Sequence, residues 1–325
     1  MKPKMKAILF YKYGTPEVLQ YKEVEKPVPK ANEILLKIRA AAVTMGDCEM
    51  RSPEITSLTW FMARLYFGLR KPRIKILGSY FAGDIQSVGA DVKSFKMDDQ
   101  LFGISATFGA HAEYICLSDK GALTKMPANM SYEEAAPVGL GLDSLHFLKK
   151  AKIKKGERVL INGAGGGIGT YAVQLARHYG AKVTAVDSKN KLEMLLSIGA
   201  EKVIDYMEGD FTEKGITYDI VFDVVGSLSH TRSLRLLNET GRYISAIPLL
   251  SRVFPSLWVS LTSKRKMMTG LMNPYIKDLI FLKNLIETGQ LKTIIDSNYD
   301  LKAVADAHRY VEQGFKKGNV VISIK

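Results

Sequence analysis

The run Ala164-Gly165-Gly166-Gly167-Ile168-Gly169, with a carboxylate at Asp187 and cations at Lys189 and Lys191 beyond it, joins residue types and a spacing that point to phosphate binding. Glycines carry no β-carbon, so their backbone N–H groups can approach an anion closely. A helix that starts inside such a turn adds unpaired N–H donors and the positive end of its dipole. An acid about 20 residues further on accepts hydrogen bonds from a ribose hydroxyl. The pattern predicts a dinucleotide site in which Gly166, Gly167, Ile168 and Gly169 hold the pyrophosphate and Ala164 stands in the place of the first glycine. The sugar end is contested. Asp187 favours a free 2′-hydroxyl and so NAD, whereas Ser188, Lys189 and Lys191 favour a 2′-phosphate and so NADP.

Such a site needs a strand that delivers the turn and a helix that leaves it. Residues 157–161 form a short apolar run of the kind a buried parallel strand shows. Ile168, Ala172, Leu175 and Ala176 recur at helical spacing, and Gly180 supplies the stop. Alternation continues with a strand over 181–187, a helix over 189–196, strands over 202–205 and 219–225, a helix over 230–237 and a strand over 241–247. Strands alternating with helices predict a doubly wound, Rossmann-type parallel sheet in an α/β fold. Val225, Gly226, Ser245, Ala246 and Ile247 would then lie at its carboxyl edge, where ligands bind.

The flanks read differently. Short strands over 6–11, 33–40, 83–89 and 109–115, punctuated by Gly and Pro, predict a mostly β domain. Helices are expected over 277–287 and 301–313, and a closing strand over 319–324 returns to the first domain. The expected division is therefore discontinuous: 1–125 with 272–325 in one domain, 126–271 in the other.

Composition narrows the class. The chain has 325 residues, 46% of them hydrophobic and 24% charged, enough for two globular domains. Only two cysteines, Cys48 and Cys116, exclude a disulfide framework and predict a reducing, cytoplasmic setting. The first residues lack a signal-peptide core. A net charge of +13 suits nucleic acid, a membrane surface or an anionic cofactor. No nucleic-acid module is present, so nucleic acid is not expected as a partner. Two apolar stretches, 58–69 and 253–261, run into basic flanks: Arg70, Lys71, Arg73 and Lys75 after the first, Lys264, Arg265 and Lys266 after the second. Neither is long enough to span a bilayer. They read either as a pocket wall or dimer surface, or as a peripheral membrane contact.

Several segments carry a family resemblance: Gly-Thr-Pro-Glu-Val-Leu at 14–19, Ala-Ala-Val-Thr-Met-Gly-Asp at 41–47, Gly-Ser-Tyr-Phe-Ala-Gly-Asp at 78–84, Val-Gly-Ala-Asp-Val-Lys-Ser-Phe-Lys at 88–96, the glycine-rich turn, and Gly-Phe-Lys-Lys-Gly-Asn-Val-Val at 314–321. Through them the chain resembles the medium-chain dehydrogenase/reductase superfamily, and within it the zinc-free quinone oxidoreductase branch. The resemblance implies a GroES-like barrel beside the Rossmann sheet, a homodimer, and hydride transfer between a nicotinamide cofactor and a small apolar acceptor. It places Lys191 and Tyr206 at the 2′-phosphate, which favours NADPH over NADH. Val225 and Gly226 fall near the adenosine ribose, and Ser245, Ala246 and Ile247 near nicotinamide. Asp143 and Ser144, at the start of a linking helix, are further cofactor contacts, and Phe315, Lys316 and Asn319 close over the cofactor from the tail.

The ligand places of the zinc-dependent relatives fall at Thr44, Ser79 and Leu140, none a usual zinc ligand. With two cysteines, and five histidines at no ligand spacing, no zinc is expected. A quinone or an α,β-unsaturated carbonyl accepts hydride without a Lewis acid, because the product anion is delocalised. The resemblance offers Tyr80, Ser79, Thr44 and Asp47 as proton donors; Tyr80 is the only phenol, and Thr44 faces the nicotinamide end. Two alternatives remain open at this point: a membrane-peripheral reductase of lipid-derived enones or ketols, and a non-catalytic NADPH-binding sensor.

Overall fold

The computed structural model describes residues 3–54, 58–247, 262–270 and 272–325. Two sheets dominate it. The amino-terminal part contributes β1 (Lys4–Leu9) and β2 (Gln20–Glu25), an antiparallel ribbon, and then β3 (Glu33–Val43), β4 (Tyr80–Val88), β5 (Gln100–Ile104), β6 (Tyr114–Ser118) and β7 (Ala122–Lys125). Next come β8 (Arg158–Asn162), β9 (Lys182–Asp187), β10 (Lys202–Asp205), β11 (Tyr218–Asp223), β12 (Leu237–Ser245) and β13 (Lys266–Thr269). These six form one sheet, all parallel, in the order β10-β9-β8-β11-β12-β13. The order reverses direction between β8 and β11, the topological switch point of a Rossmann sheet. The last strands, β14 (Ile295–Asp300) and β15 (Asn319–Ser323), join the first sheet, whose order is β14-β15-β3-β4-β5-β7 with β6 also on β3.

Nine helices are described: α1 (Met45–Arg51), α2 (Leu58–Phe67), α3 (Tyr132–Ala135), α4 (Leu140–Lys150), α5 (Gly167–His178), α6 (Leu192–Ser197), α7 (His230–Arg235), α8 (Ile276–Glu287) and α9 (Val304–Glu312). The parallel strands are apolar on both faces because both faces are covered. Val159, Ile161, Ala185, Ile220 and Phe222 pack under α4, α5 and α8, and Leu160, Val186 and Val221 pack on the opposite side against Leu236 and Leu237. Burying such side chains contributes about 1.5–3 kcal/mol each. Gly180, at φ +76°, ends α5 in the left-handed conformation that glycine adopts without a β-carbon clash.

Some expectations shift. The helix expected over 230–237 ends at Arg235, and Leu237 already opens β12. The pairing of β11 with β12 slips between Tyr218 and Ile220, at Gly241, where an added β-carbon would press Leu237. That glycine is an irregularity inside the strand rather than its start. The strand expected over 109–115 begins only at Tyr114; before it, Ala112 makes one isolated bridge to Ala7. The helix expected over 301–313 opens as a 3-10 turn, Leu301–Ala303, before α9. The stretch 253–261 lies outside the described residues.

Candidate active site

β8 delivers the glycine-rich turn at the switch point, and α5 leaves it with Gly166 as its N-cap in extended conformation. Close packing explains the glycines. At Gly169 a β-carbon would run into the Gly163 and Ala164 carbonyls; at Gly163 it would lie 2.6 Å from Val225 Cγ1. At Gly166 an added β-carbon would find nothing nearer than the Gly163 carbonyl oxygen, 3.7 Å away. Beside it Asn319 Oδ1 is buried without a hydrogen-bond partner, 2.8 Å from where a Gly167 β-carbon would sit. The Ala164, Gly165 and Gly166 amides are spent within the turn, and the amides of Gly167, Ile168 and Gly169 at the start of α5, next to an unpartnered amide oxygen, fit a nicotinamide dinucleotide.

The tail segment lies directly on this turn. Gly166 and Gly318 form an isolated parallel bridge, and the Gly318 N–H donates to the Gly165 carbonyl at 2.8 Å. Asp187, at the end of β9, accepts from the Gly165 N–H at 2.7 Å and from the Ser188 N–H at 2.9 Å. Its charged partner is Lys191, whose Nζ lies 2.9 Å from Asp187 Oδ1 with both side chains buried. Lys191 Nζ also donates to the Gly314 carbonyl at 3.0 Å. Lys316 Nζ donates to the Gly318 carbonyl at 2.6 Å, and burial together with the Lys191 charge pulls its pKa down to about 8. Two ammonium groups thus converge beside the Asp187 carboxylate. Tyr206 opens the turn after β10, one residue beyond the Asp205–Asp187 pairing, with its ring half exposed; Phe315 is exposed.

The second sheet edge meets this site at α4. Leu140, at the start of α4, lies over Gly167, and Ser144 Oγ donates to the Ile168 carbonyl at 2.7 Å. In the first turn of α4, Asp143 faces Tyr80 from β4. The Tyr80 hydroxyl donates to Asp143 Oδ2 at 3.4 Å. Gly139 makes room for that ring, since a β-carbon there would lie 2.5 Å from Tyr80 Cδ1. Burial raises the Asp143 carboxyl to about 7. Burial, then the Asp143 and Asp47 charges, push the Tyr80 phenol well above its ordinary range.

Thr44 and Asp47 are committed to each other. Thr44 caps α1, its N–H and hydroxyl donate to Asp47 Oδ2 at 2.9 and 2.6 Å, and the Asp47 N–H donates back to Thr44 Oγ1. Asp47 Oδ1 accepts from the Gly78 N–H at 2.9 Å, which ties α1 to the residues just before Tyr80. Arg51, further along α1, is buried and bridges Glu312 of α9 and the Gly14 carbonyl.

Sequence reasoning missed the residue that organises the carboxyl edge. Asp223, fully buried at the end of β11, accepts from Asn162 Nδ2 (2.9 Å), the Gly226 N–H (2.9 Å), the Leu228 N–H (3.0 Å) and the Tyr243 hydroxyl (2.8 Å). It fixes the bend that brings Gly226, at φ +67°, against Ile247. Ser245 Oγ donates to the Ile247 carbonyl at 3.0 Å, and the Ala246 N–H donates to the Asp223 carbonyl at 3.2 Å. An acid ending an apolar strand was the available signal.

Among the described residues, no three His, Cys, Asp or Glu side chains are grouped to hold a metal ion, and no helix is long and apolar enough to cross a membrane. Cys48 is buried, with Sγ 3.4 Å from His308 Nδ1, and burial pushes its thiol far up, the state of an inert thiol.

Two family descriptions match the chain: "alcohol dehydrogenase GroES-like domain" over residues 30–128, and "zinc-binding dehydrogenase" over residues 198–322. A tomato (Solanum lycopersicum) protein named 2-methylene-furan-3-one reductase is 31% identical, over 98% of this chain and 79% of that protein. The chain belongs to the medium-chain dehydrogenase/reductase superfamily. Within this superfamily it falls in the quinone oxidoreductase-like branch. The solved quinone oxidoreductase of Coxiella burnetii is 30% identical, covers 99% of this chain and 100% of its own, and superposes with a TM-score of 0.88. The quinone oxidoreductase of Escherichia coli, solved with NADPH, is 27% identical over 98% of this chain and 99% of its own, with a TM-score of 0.85. The GroES-like and Rossmann architecture expected from the sequence is the one present.

Proposed function

We propose that this chain is an NADPH-dependent reductase that transfers hydride to a quinone or an α,β-unsaturated carbonyl without a metal ion. The observation that carries the reading is the convergence of Lys191 and Lys316 on the tail segment over the glycine-rich turn, which α4, the helix that pairs Asp143 with Tyr80, also touches through Leu140 and Ser144. Two cations beside the ribose acid suit a 2′-phosphate better than a bare hydroxyl. The names of the tomato, Coxiella and Escherichia relatives, and the NADPH bound in the last, support the same reading.

Bound nicotinamide would supply the hydride. The protein's part is binding, orientation and proton supply. Gly167, Ile168 and Gly169 present backbone donors to the pyrophosphate, with the Gly166 N-cap before them and Ala164 packed beneath the turn. Asp187, Ser188, Lys191 and Tyr206 surround the ribose and its phosphate; Val225 and Gly226 flank the adenosine side. Thr44, Ser144, Ser245, Ala246, Ile247 and Asn319 bound the nicotinamide end, and Phe315 covers the opening. Tyr80 is the proton donor, and Asp47 holds Thr44 and Gly78 so that Tyr80 meets the cleft.

The proposed domain division is 1–125 with 272–325 and 126–271, supported by β14 and β15 lying in the first sheet. We take the active form to be a cytoplasmic homodimer, which sedimentation equilibrium would test. The decisive assay compares NADPH and NADH oxidation against 9,10-phenanthrenequinone, a 2-alkenal and a simple ketone, with and without chelator. Chelator-resistant turnover of the quinone or alkenal, faster with NADPH, is expected. Turnover of the ketone alone, lost with chelator, would overturn the reading. NADPH binding with no turnover would favour the sensor.

A further inference from the structure

Tyr80 and Asp143 come from different layers, β4 of the first sheet and the first turn of α4, yet share one hydrogen bond at 3.4 Å across the junction. Gly139 is the residue whose missing β-carbon lets the ring reach that place. The charged group facing this pair from another element is Asp47 of α1, which is already saturated by Thr44 and Gly78. His146, one turn along α4, lies with Lys150 and Asp278 instead. Opposite charge is therefore not what holds the Asp143 carboxyl; the phenol is its partner.

Resting on the reductase reading, we propose that Asp143 is a positioning residue that aims and refills the Tyr80 hydroxyl, and that the pair selects α,β-unsaturated carbonyls over quinones. The direction of the hydrogen bond is the device. When Asp143 is ionised it can only accept, so the Tyr80 O–H points at it and away from substrate. When Asp143 is protonated, its O–H donates to the Tyr80 oxygen, and the phenolic O–H turns into the cleft. Hydride reaching the β-carbon of an enone leaves an enolate that must gain a proton. The Tyr80 O–H bond breaks as the α-carbon–hydrogen bond forms, the Asp143 proton passes to the phenolate, and solvent reprotonates Asp143. The net change is enone plus NADPH plus one proton to saturated ketone plus NADP+. A quinone accepting hydride leaves a hydroquinone anion stable enough to take its proton from water, and draws less on the pair.

Burial places the Asp143 carboxyl near 7, so its state changes in the assay range. The test measures kcat/KM against pH from 5.5 to 9 for a 2-alkenal and for 9,10-phenanthrenequinone, with the wild-type chain, Asp143→Asn and Tyr80→Phe. The expected wild-type alkenal profile falls as pH rises through about 7. A carboxamide cannot ionise, so that limb disappears in Asp143→Asn. Tyr80→Phe, the fallback should Asp143→Asn not fold, lowers the alkenal-to-quinone ratio by roughly 100-fold, the usual worth of general acid catalysis. A second readout needs no turnover: in cofactor-free protein labelled with 13C at aspartate carboxyls, one resonance titrates near pH 7 and is missing from Asp143→Asn. Alkenal turnover with a flat wild-type profile, or a limb that survives Asp143→Asn, would overturn the dyad and leave the reductase reading standing. Turnover of quinone with none of alkenal would do the same. No turnover of any acceptor would overturn both.

Discussion

Lys191 Nζ sits 2.9 Å from Asp187 Oδ1 while donating to the Gly314 carbonyl, so one buried ammonium joins the carboxylate at the end of β9 to the tail. Removing one member of a buried pair leaves the other charge uncompensated, at a cost of about 3–5 kcal/mol. Lys191→Met should therefore lower stability by an amount visible in denaturant titration. It should also weaken NADPH more than NADH, by roughly tenfold, the worth of one charge-assisted hydrogen bond. Equal losses for both cofactors would place the 2′-phosphate elsewhere.

Lys316 gives a pH dependence of definite sign. Its amine is held down to about 8, so it is an ammonium below that pH and neutral above it. Attraction for a phosphate is present at pH 7 and lost as pH rises through about 8. The KM for NADPH should climb between pH 7 and 9, and in Lys316→Met it should start high and stay flat over that range.

Gly169→Ala tests the packing of the turn. The added methyl would meet the Gly163 and Ala164 carbonyls, backbone that cannot swing aside. Overpacking of this kind costs about 1–3 kcal/mol. The variant should melt at lower temperature and bind NADPH poorly, as isothermal titration would show.

Gly139→Ala tests the cleft by displacement. Its methyl would lie 2.5 Å from Tyr80 Cδ1 and push the ring off its place facing Asp143. Turnover of a 2-alkenal should drop at least tenfold, while NADPH binding, measured by fluorescence titration, should change far less. The Cβ position is remote from Lys191 and Lys316 in sequence, and no cofactor contact is proposed for Gly139.

How much of this was legible beforehand depended on where the information sat. The turn, α5, β8, β9 and β11 announce themselves through continuous apolar runs and glycines, because a parallel strand covered on both faces leaves no polar alternation to confuse the reading. β14 does not: Ile-Asp-Ser-Asn-Tyr-Asp is polar at most positions, and only pairing with β15 makes it a strand. β13, four residues long, carries too little pattern. The reciprocal Thr44–Asp47 cap on α1 had a local signature, a hydroxyl three residues before an acid, that went unread. The Asp223 hub left only an acid at the end of an apolar strand, and the Gly139 vacancy left nothing, since both take shape only once β11, β12 and the junction of the two sheets are assembled.

The bridge between Gly166 and Gly318 has a consequence for biosynthesis. The parallel sheet can form while the chain is still being made, since domains generally fold as units during synthesis. The segment that lays Lys316 and Asn319 on the glycine-rich turn leaves the ribosome about 50 residues after β13, the last strand of that sheet. A nascent chain can thus own a finished sheet and still lack a nucleotide site. On the proposed reading cofactor capture becomes a late event, because a chain stalled or clipped before 314 would keep the parallel sheet yet lack both β15 and the segment that lies on the glycine-rich turn.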